Sequence, residues 1–367
     1  MTTRPDRRPM VSLPMLEARR TELETCAYCP KLCRSACPVS NAEPRETLTP
    51  WGKMTTAYLA AQGDVPLEAS FARPAWACTG CGACTNACDH RNDVASSLTS
   101  AREAFSSRDL APEAAQRMVH DWEAHATATR SAVAKHISAG RSAIALLVGC
   151  TYSLRASDVA RDAVAAVRQL VGQVEVIDMC CGKPLKMAGA RARFDSHAAQ
   201  FAARTRGFDR LVVADPGCAV TFATDYREAG VRLAPRVSLL VDEAAAQLGA
   251  LVASDARTDV RYHEPCSLGR ILGRGAEARA VLTTITGRPP AEVTVRGGCS
   301  GGGGLLPVTM PAVSQAIAVA RVAEHDAAGG GELVTACASS LVSLRRAARG
   351  QFVVSDLATW IARALRR

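Results

Sequence analysis

From residue 141 onward the chain alternates short apolar runs with Ala-rich stretches of helical character. The runs fall at 144–148, 174–177, 211–214, 260–262, 293–295 and 333–335, each strand-sized. Strands alternating with helices predict an α/β arrangement with parallel strands. A cysteine follows each run within a few residues, so the strand–cysteine order predicts one unit used twice, over 141–250 and 251–367. Parallel strands would gather these cysteines at one edge of each sheet, where open α/β folds bind ligands. The first 140 residues read instead as helix and loop. Leu110, Ala114, Met118, Trp122 and Ala126 recur at roughly helical spacing, which predicts amphipathic packing in a connector over 106–140 and gives Trp122 no functional weight. Residues 139–142, Ala-Gly-Arg-Ser, read as a linker.

Composition narrows the class. A chain of 367 residues suggests two or three domains, and 48% hydrophobic content suffices for ordinary cores. With aromatics at 4%, those cores must be built mostly from Ala, Val and Leu. The formal charge of +9 attracts anionic partners, such as acidic redox proteins or lipid headgroups. The arginines are scattered with few aromatics between them, so no nucleic-acid partner is expected. No apolar run approaches the ~18 residues that span a bilayer. The N-terminal residues carry charge without the apolar stretch of a secretory signal, which predicts a cytoplasmic protein. In that reducing compartment the 15 cysteines read as metal ligands or catalytic groups rather than disulfides, and their odd number agrees.

Eight cysteines form two tight groups within 21–105, behind an N-terminal extension over 1–20. The first is Cys26-Ala-Tyr-Cys29-Pro-Lys-Leu-Cys33-Arg-Ser-Ala-Cys37-Pro38, and the second is Cys78-Thr-Gly-Cys81-Gly-Ala-Cys84-Thr-Asn-Ala-Cys88-Asp89. The second has the spacing of bacterial-type ferredoxins, in which three thiolates on one loop grip a [4Fe-4S] cube and the fourth reaches the other cluster. Gly80 and Gly82 let the backbone approach the inorganic sulfides. The predicted sets are Cys26, Cys29, Cys33 with Cys88, and Cys78, Cys81, Cys84 with Cys37. The first group has one extra residue between Cys29 and Cys33, and the second has Asp89 where proline is usual. The 40 residues between the groups fit a helical ferredoxin-like domain better than a minimal one. Paired zinc sites also use C-x2-C, but as two pairs per ion rather than two runs of four.

The remaining cysteines stand in a second pattern. Residues 141–250 carry Gly149-Cys150, Cys180-Cys181-Gly182-Lys183-Pro184 and Asp215-Pro216-Gly217-Cys218. Residues 251–367 carry His263-Glu264-Pro265-Cys266, Gly298-Cys299-Ser300 with the glycine run 301–304, and Cys337-Ala338-Ser339-Ser340. With the ferredoxin-like segment in front, this resembles the tandem cysteine-rich CCG domains of heterodisulfide reductase catalytic subunits and glycolate oxidase iron–sulfur subunits. The resemblance covers about residues 20–345 and implies a helical ferredoxin-like domain followed by a tandem α/β pair. Complete repeats of that family hold a non-cubane [4Fe-4S] cluster on one Cys, an adjacent Cys pair and a C-x-x-C. The first repeat keeps Cys150, Cys180, Cys181 and Cys218, with Asp215 at the first position of C-x-x-C. The second keeps Cys266, Cys299 and Cys337, with Ser340 at the last position and the Cys pair broken by Gly298 or Ser300. An additional non-cubane cluster is therefore expected on the first repeat if on either.

Beside these stand plainer readings. His263 serves as a support for Cys266 or as a core histidine. Asp215 reads as a turn residue before Pro216-Gly217. The glycine run lacks the Lys-Ser/Thr of a P-loop and is read as a close backbone approach to a cluster or flavin partner. No G-x-G-x-x-G follows a strand, so flavin is expected on a partner and not on this chain. The expected function is an iron–sulfur electron-transfer subunit. It would pass single electrons between a flavoprotein dehydrogenase, such as a 2-hydroxy-acid oxidase, and a quinone, a disulfide or another redox protein. Peripheral association with the inner membrane face would run through such a partner. The alternative is a thiol–disulfide reductase with its chemistry at Cys180, Cys181 and Cys218.

Overall fold

In the N-terminal part, helix boundaries follow local chemistry. The helix Pro50–Gln62 begins at Thr49, whose hydroxyl accepts from the Gly52 amide at 3.0 Å. Pro50 occupies the first turn, where no amide is needed, and Gly63 ends the helix at φ 83°. Asp93 caps Val94–Ser106 in the same way, accepting from Ser96 at 3.1 Å. With Arg20–Ala27 and Ala69–Trp76 these helices enclose a core that includes Leu16, Leu23, Met54, Trp76, Leu98 and Phe105.

A computed structural model describes residues 9–31, 33–136, 142–253, 260–293 and 298–365, in two units. The first takes in the described residues up to His120 with Pro184–Arg191 and Gly303–Ser314. The segment 184–191 is held there by Lys186, whose ammonium lies 2.7 Å from the Glu103 carboxylate, with both side chains under a tenth exposed. Arg191 joins the same carboxylate at 3.5 Å, and Ala188 enters the apolar core.

The second unit contains two four-stranded parallel sheets of the same topology. Strands β1 (Ile144–Leu147), β2 (Glu175–Val176), β3 (Arg210–Val213) and β4 (Arg236–Leu239) are ordered β2-β1-β3-β4. Strands β5 (Val260–His263), β6 (Ala291–Glu292), β7 (Glu332–Thr335) and β8 (Val354–Asp356) are ordered β6-β5-β7-β8. In both sheets the inner strands pair over four residues, Ile144 to Leu147 against Arg210 to Val213 and Val260 to His263 against Glu332 to Thr335. The protein is thus α/β overall, with a helical N-terminal region followed in sequence by a duplicated α/β region.

Three details depart from the periodicity. The expected helical stretch over 110–138 is two helices, Glu113–His120 and Trp122–Ala134, parted at Asp121. The edge strand β4 carries no continuous apolar run because it is covered less completely than an inner strand, whereas the buried β8 is interrupted by Ser355 and Asp356, which accept hydrogen bonds from Trp360 and Tyr152. β6 lies just ahead of the run at 293–295, of which 294–295 fall outside the described residues, as do 139–141 of the expected linker. No helix among the described residues is long and apolar enough to cross a membrane.

Removing one partner of a buried ion pair strands the other charge. Lys186→Ala is therefore expected to cost about 3 kcal/mol in urea unfolding. The double variant Lys186→Met with Glu103→Leu should recover most of that loss.

Candidate metal centres

The first cysteine group wraps a cavity of about 220 Å³ at the end of the helix Arg20–Ala27. Cys26, Cys29, Cys33, Cys88 and Cys84 line it, beside Trp51 and Lys31. The extra residue between Cys29 and Cys33 is accommodated in part by Lys31, which turns through φ 71° with its ammonium 4.0 Å above the Trp51 ring. Asn92 donates its side-chain amide to Cys26 Sγ at 3.0 Å. Burial pushes the Cys26 thiol up to about 12; Asn92 opposes this, and Cys33, Cys88 and Cys29 add repulsion.

The second group lies in a smaller cavity lined by Cys37, Cys78, Cys81 and Cys84 together with Lys53. Gly80 and Gly82 turn the loop at φ 70° and 68°, and the Gly80 amide donates to Cys78 Sγ at 3.4 Å. Burial raises the Cys84 thiol, as does repulsion from Cys78, Cys81 and Cys37. Cys37, from the first run, therefore stands with the second group, and Cys88 with the first. Lys53 is 2% exposed and donates to Cys37 Sγ at 3.4 Å. The equally buried Arg102 guanidinium donates to the Cys78 carbonyl at 2.7 Å, Ala75 at 2.9 Å, Gly304 at 3.0 Å and Met187 at 3.1 Å. Gly303 and Gly304 press their backbone onto this loop: a Cβ on Gly303 would fall 2.5 Å from the Thr79 carbonyl, and one on Gly304 would overlap the Cys78 carbonyl.

In the second unit the C-terminal edge of each sheet carries its cysteines. Cys180 Sγ donates to Cys150 Sγ at 3.4 Å, and Cys181 hydrogen-bonds Cys218. The His125 imidazole completes a tight group with Cys150 and Cys180, the ligand atoms within 4.8 Å of one another. Hydrogen bonding from Cys180, joined by His125 against the effect of burial, draws the Cys150 thiol down to about 6. His197 Nε2 lies 2.7 Å from the Cys180 carbonyl, the Tyr226 hydroxyl donates to the Cys181 carbonyl at 3.1 Å, and the Trp122 ring packs edge-on against His197. Gly182 turns at φ 86°, where a Cβ would meet His197 at 2.8 Å.

The second sheet repeats this frame with other side chains. Cys266 stands as far past β5 as Cys150 past β1, and Cys299-Ser300-Gly301 turns at a glycine of φ 75° as Cys180-Cys181-Gly182 does at 86°. That match places Ser300, not Gly298, at the position of Cys181. Past β7, Cys337 takes the place of Asp215 and Ser340 that of Cys218. The hydroxyls of Ser300 and Ser340 lie 3.0 Å apart, both buried, where the first sheet pairs Cys181 with Cys218. Asp215 and Cys337 in turn hydrogen-bond each other. Asp215 also caps the helix Pro216–Ala223, accepting from the Gly217 amide at 3.0 Å. His263 is buried with Nε2 unpartnered; burial, Arg321 and Arg270 hold it down to about 3, so it is a neutral core histidine. All fifteen cysteines are free thiols.

Residues 22–92 match the 4Fe-4S dicluster domain family, and residues 144–223 and 260–345 each match the cysteine-rich CCG domain family. The chain belongs to the tandem CCG-domain iron–sulfur family. It is 26% identical over 250 residues to one subunit of the fumarate reductase (CoM/CoB) of Methanothermobacter marburgensis, covering 66% of this chain and 51% of that protein. It is 25% identical over 200 residues to an uncharacterized iron–sulfur protein of Methanococcus maripaludis, covering 53% and 39%. The chain spans about half or less of the length of these curated relatives.

For a CCG-domain protein the donors fit iron–sulfur chemistry. Soft thiols dominate both N-terminal cavities, and the second adds two buried cations with no carboxylate partner among the described residues. A cube binds each thiolate to a different iron, which spaces the sulfurs more widely than a single ion does, and only His125, Cys150 and Cys180 form the tighter group among the described residues. Sequence reasoning missed Lys53, Asn92, Arg102 and His125. Two of them leave a trace: Lys53 shares a helical stripe with the buried Ala57 and Ala60, and Arg102 one with Leu98 and Phe105. A charge on an apolar stripe calls for a buried partner.

Gly304→Ala, at φ 63° and against the Cys78 carbonyl, is expected to cost roughly 1–3 kcal/mol and to lower iron per chain. Gly207→Ala, where a Cβ meets nothing within 4 Å, should leave iron unchanged in the same metal analysis.

Proposed function

We propose that this chain is the iron–sulfur electron-transfer subunit of an oxidoreductase complex. It passes single electrons between a flavoprotein dehydrogenase and a quinone, a disulfide or another redox acceptor. The observation that carries this reading is the meeting of eight thiols from two distant runs in two cavities that share Cys84 along their walls. Adjacent centres of this kind make a path for electrons one at a time, whereas a flavin collects them in pairs from its substrate. The M. marburgensis relative is by its name one subunit of a reductase, which supports partner subunits here as well. The chain works in the reducing cytoplasm, reaching the inner membrane face through its partner.

Two [4Fe-4S] clusters are held by Cys26, Cys29, Cys33 and Cys88, and by Cys37, Cys78, Cys81 and Cys84. The cavity linings support this crossing of ligands, since Cys88 lines the first cavity and not the second, and Cys37 the second and not the first. A third, non-cubane cluster belongs to the first repeat, on Cys150, Cys180, Cys181 and Cys218 with His125 as an added nitrogen donor. In the second repeat Cys266, Cys299 and Cys337 remain, but the two positions filled by Ser300 and Ser340 satisfy each other.

A second reading, a thiol–disulfide reductase at Cys180, Cys181 and Cys218, is favoured by one observation. Cys150, Cys180 and the His125 imidazole converge, with Cys180 Sγ 3.4 Å from Cys150 Sγ, and their hydrogen bonds favour the Cys150 thiolate. Turnover of a disulfide substrate by the reduced, anaerobically purified protein separates the readings, since the electron-transfer reading expects none without a partner.

Two measurements test the centres. In anaerobic protein Cys37→Ser should impair the cluster held by Cys78, Cys81 and Cys84; EPR showing loss confined to the Cys26 side would overturn the crossed assignment. Iron should be about twelve per chain, eight from two cubes and four from the first repeat. Cys180→Ala with Cys181→Ala should lower it to about eight, and Cys337→Ala should change it little. Wild-type iron near eight would remove the third cluster, and stoichiometric zinc without iron would remove the whole proposal.

A further inference from the structure

The two N-terminal cavities differ in the charge built around them. Lys53, on the helix Pro50–Gln62, places its ammonium 3.4 Å from Cys37 Sγ with 2% of its surface exposed. Arg102, on Val94–Ser106, is equally buried and spends its guanidinium on four backbone carbonyls, one of them that of Cys78. No carboxylate pairs with either among the described residues. Both cations bear on Cys78, where each opposes the effect of burial. Burial draws Arg102 down only to about 10, so it stays charged at neutral pH.

Among the described residues the other cavity has no such charge. Lys31 is over a third exposed and paired with Glu46 at 3.7 Å. Arg20 is held between Glu17 and Glu24. Cys26 receives a neutral amide from Asn92, and Asp89 with His90 lines the open side.

A buried cation without a carboxylate partner is costly unless another anion balances it. Here the anion is the thiolate set. Adding an electron to a centre adds one negative charge, so fixed cations nearby favour its reduced form and raise its potential. Water at the first cavity acts in the same direction on the first centre, so the difference between the centres turns on the fixed charges of Lys53 and Arg102, whose field is weakly screened in the interior.

We propose that Lys53, seconded by Arg102, holds the centre on Cys37, Cys78, Cys81 and Cys84 at a higher reduction potential than the centre on Cys26, Cys29, Cys33 and Cys88. The electron then moves one way: the Cys26-side centre loses one electron and is oxidised, the Cys37-side centre gains it and is reduced, and no proton or group transfers. Lys53 is a tuning residue acting through the Cys37 sulfur. This rests on the reading that both cavities hold reducible clusters.

The test is an EPR-monitored redox titration of the full-length, anaerobically purified protein. Lys53→Met removes the charge at similar volume, and Lys53→Gln removes it while keeping a donor for Cys37 Sγ. Each should lower one of the two potentials by at least 59 mV, a tenfold change in electron partition for one electron. The signal that moves should be the one altered by Cys81→Ser and not the one altered by Cys29→Ser. Lys53→Arg should restore the wild-type value. If both clusters are present and neither potential moves, or the Cys29-linked one does, the inference fails alone. If the wild type shows fewer than two reducible clusters, the reading beneath it fails too.

Discussion

A sulfur that must shed its proton inside a protein needs positive charge beside it, because burial otherwise keeps the thiol neutral. The N-terminal unit is arranged around that need. Cys26, Cys33, Cys78 and Cys84, which line the two cavities, are pushed up chiefly by burial, so such thiols give up protons readily only to a metal. Where burial is deepest the fold supplies Lys53 and Arg102. Arg102 in turn explains why distant segments return to this unit: its guanidinium needs carbonyls, and Met187 and Gly304 provide two. Lys186 with Glu103 and the bare backbone of Gly303 and Gly304 hold those segments in place.

The duplicated α/β region obeys a different constraint. Parallel strands end on one side, so the residues after β1, β2 and β3 must converge, as must those after β5, β6 and β7. What converges is not the same in the two copies. One has Asp-x-x-Cys where the other has Cys-x-x-Ser, and the two first positions, Asp215 and Cys337, bond to each other. The acid is thus both a helix cap and a link between the copies.

Much of this was legible in the sequence. Inner strands announced themselves because a strand covered on both faces is largely apolar, as at 144–147 and at Leu333 and Val334. The edge strand at 236–239 escaped because exposed residues such as Arg236 leave no run, and the one at 354–356 because its buried Ser355 and Asp356 are polar. Cysteine spacing pointed to both N-terminal loops, since ligation fixes spacing. It could not reveal His125, which reaches Cys150 and Cys180 only through the packing of Trp122–Ala134. Nor could it choose between Gly298 and Ser300; the backbone of Gly301 did so through its positive φ. Tertiary encounters leave little periodic trace: Asn92 and His125 show none, and Lys53 and Arg102 show only as charges on apolar helical stripes.

The hydroxyl pair of Ser300 and Ser340 has a bearing on how the protein is made. A thiol pocket awaiting iron is an unfinished core, with polarizable groups facing one another and no bond to close the gap. Two serines that hydrogen-bond close it at once. At these two positions the second sheet packs on newly synthesised chain without waiting for a cofactor.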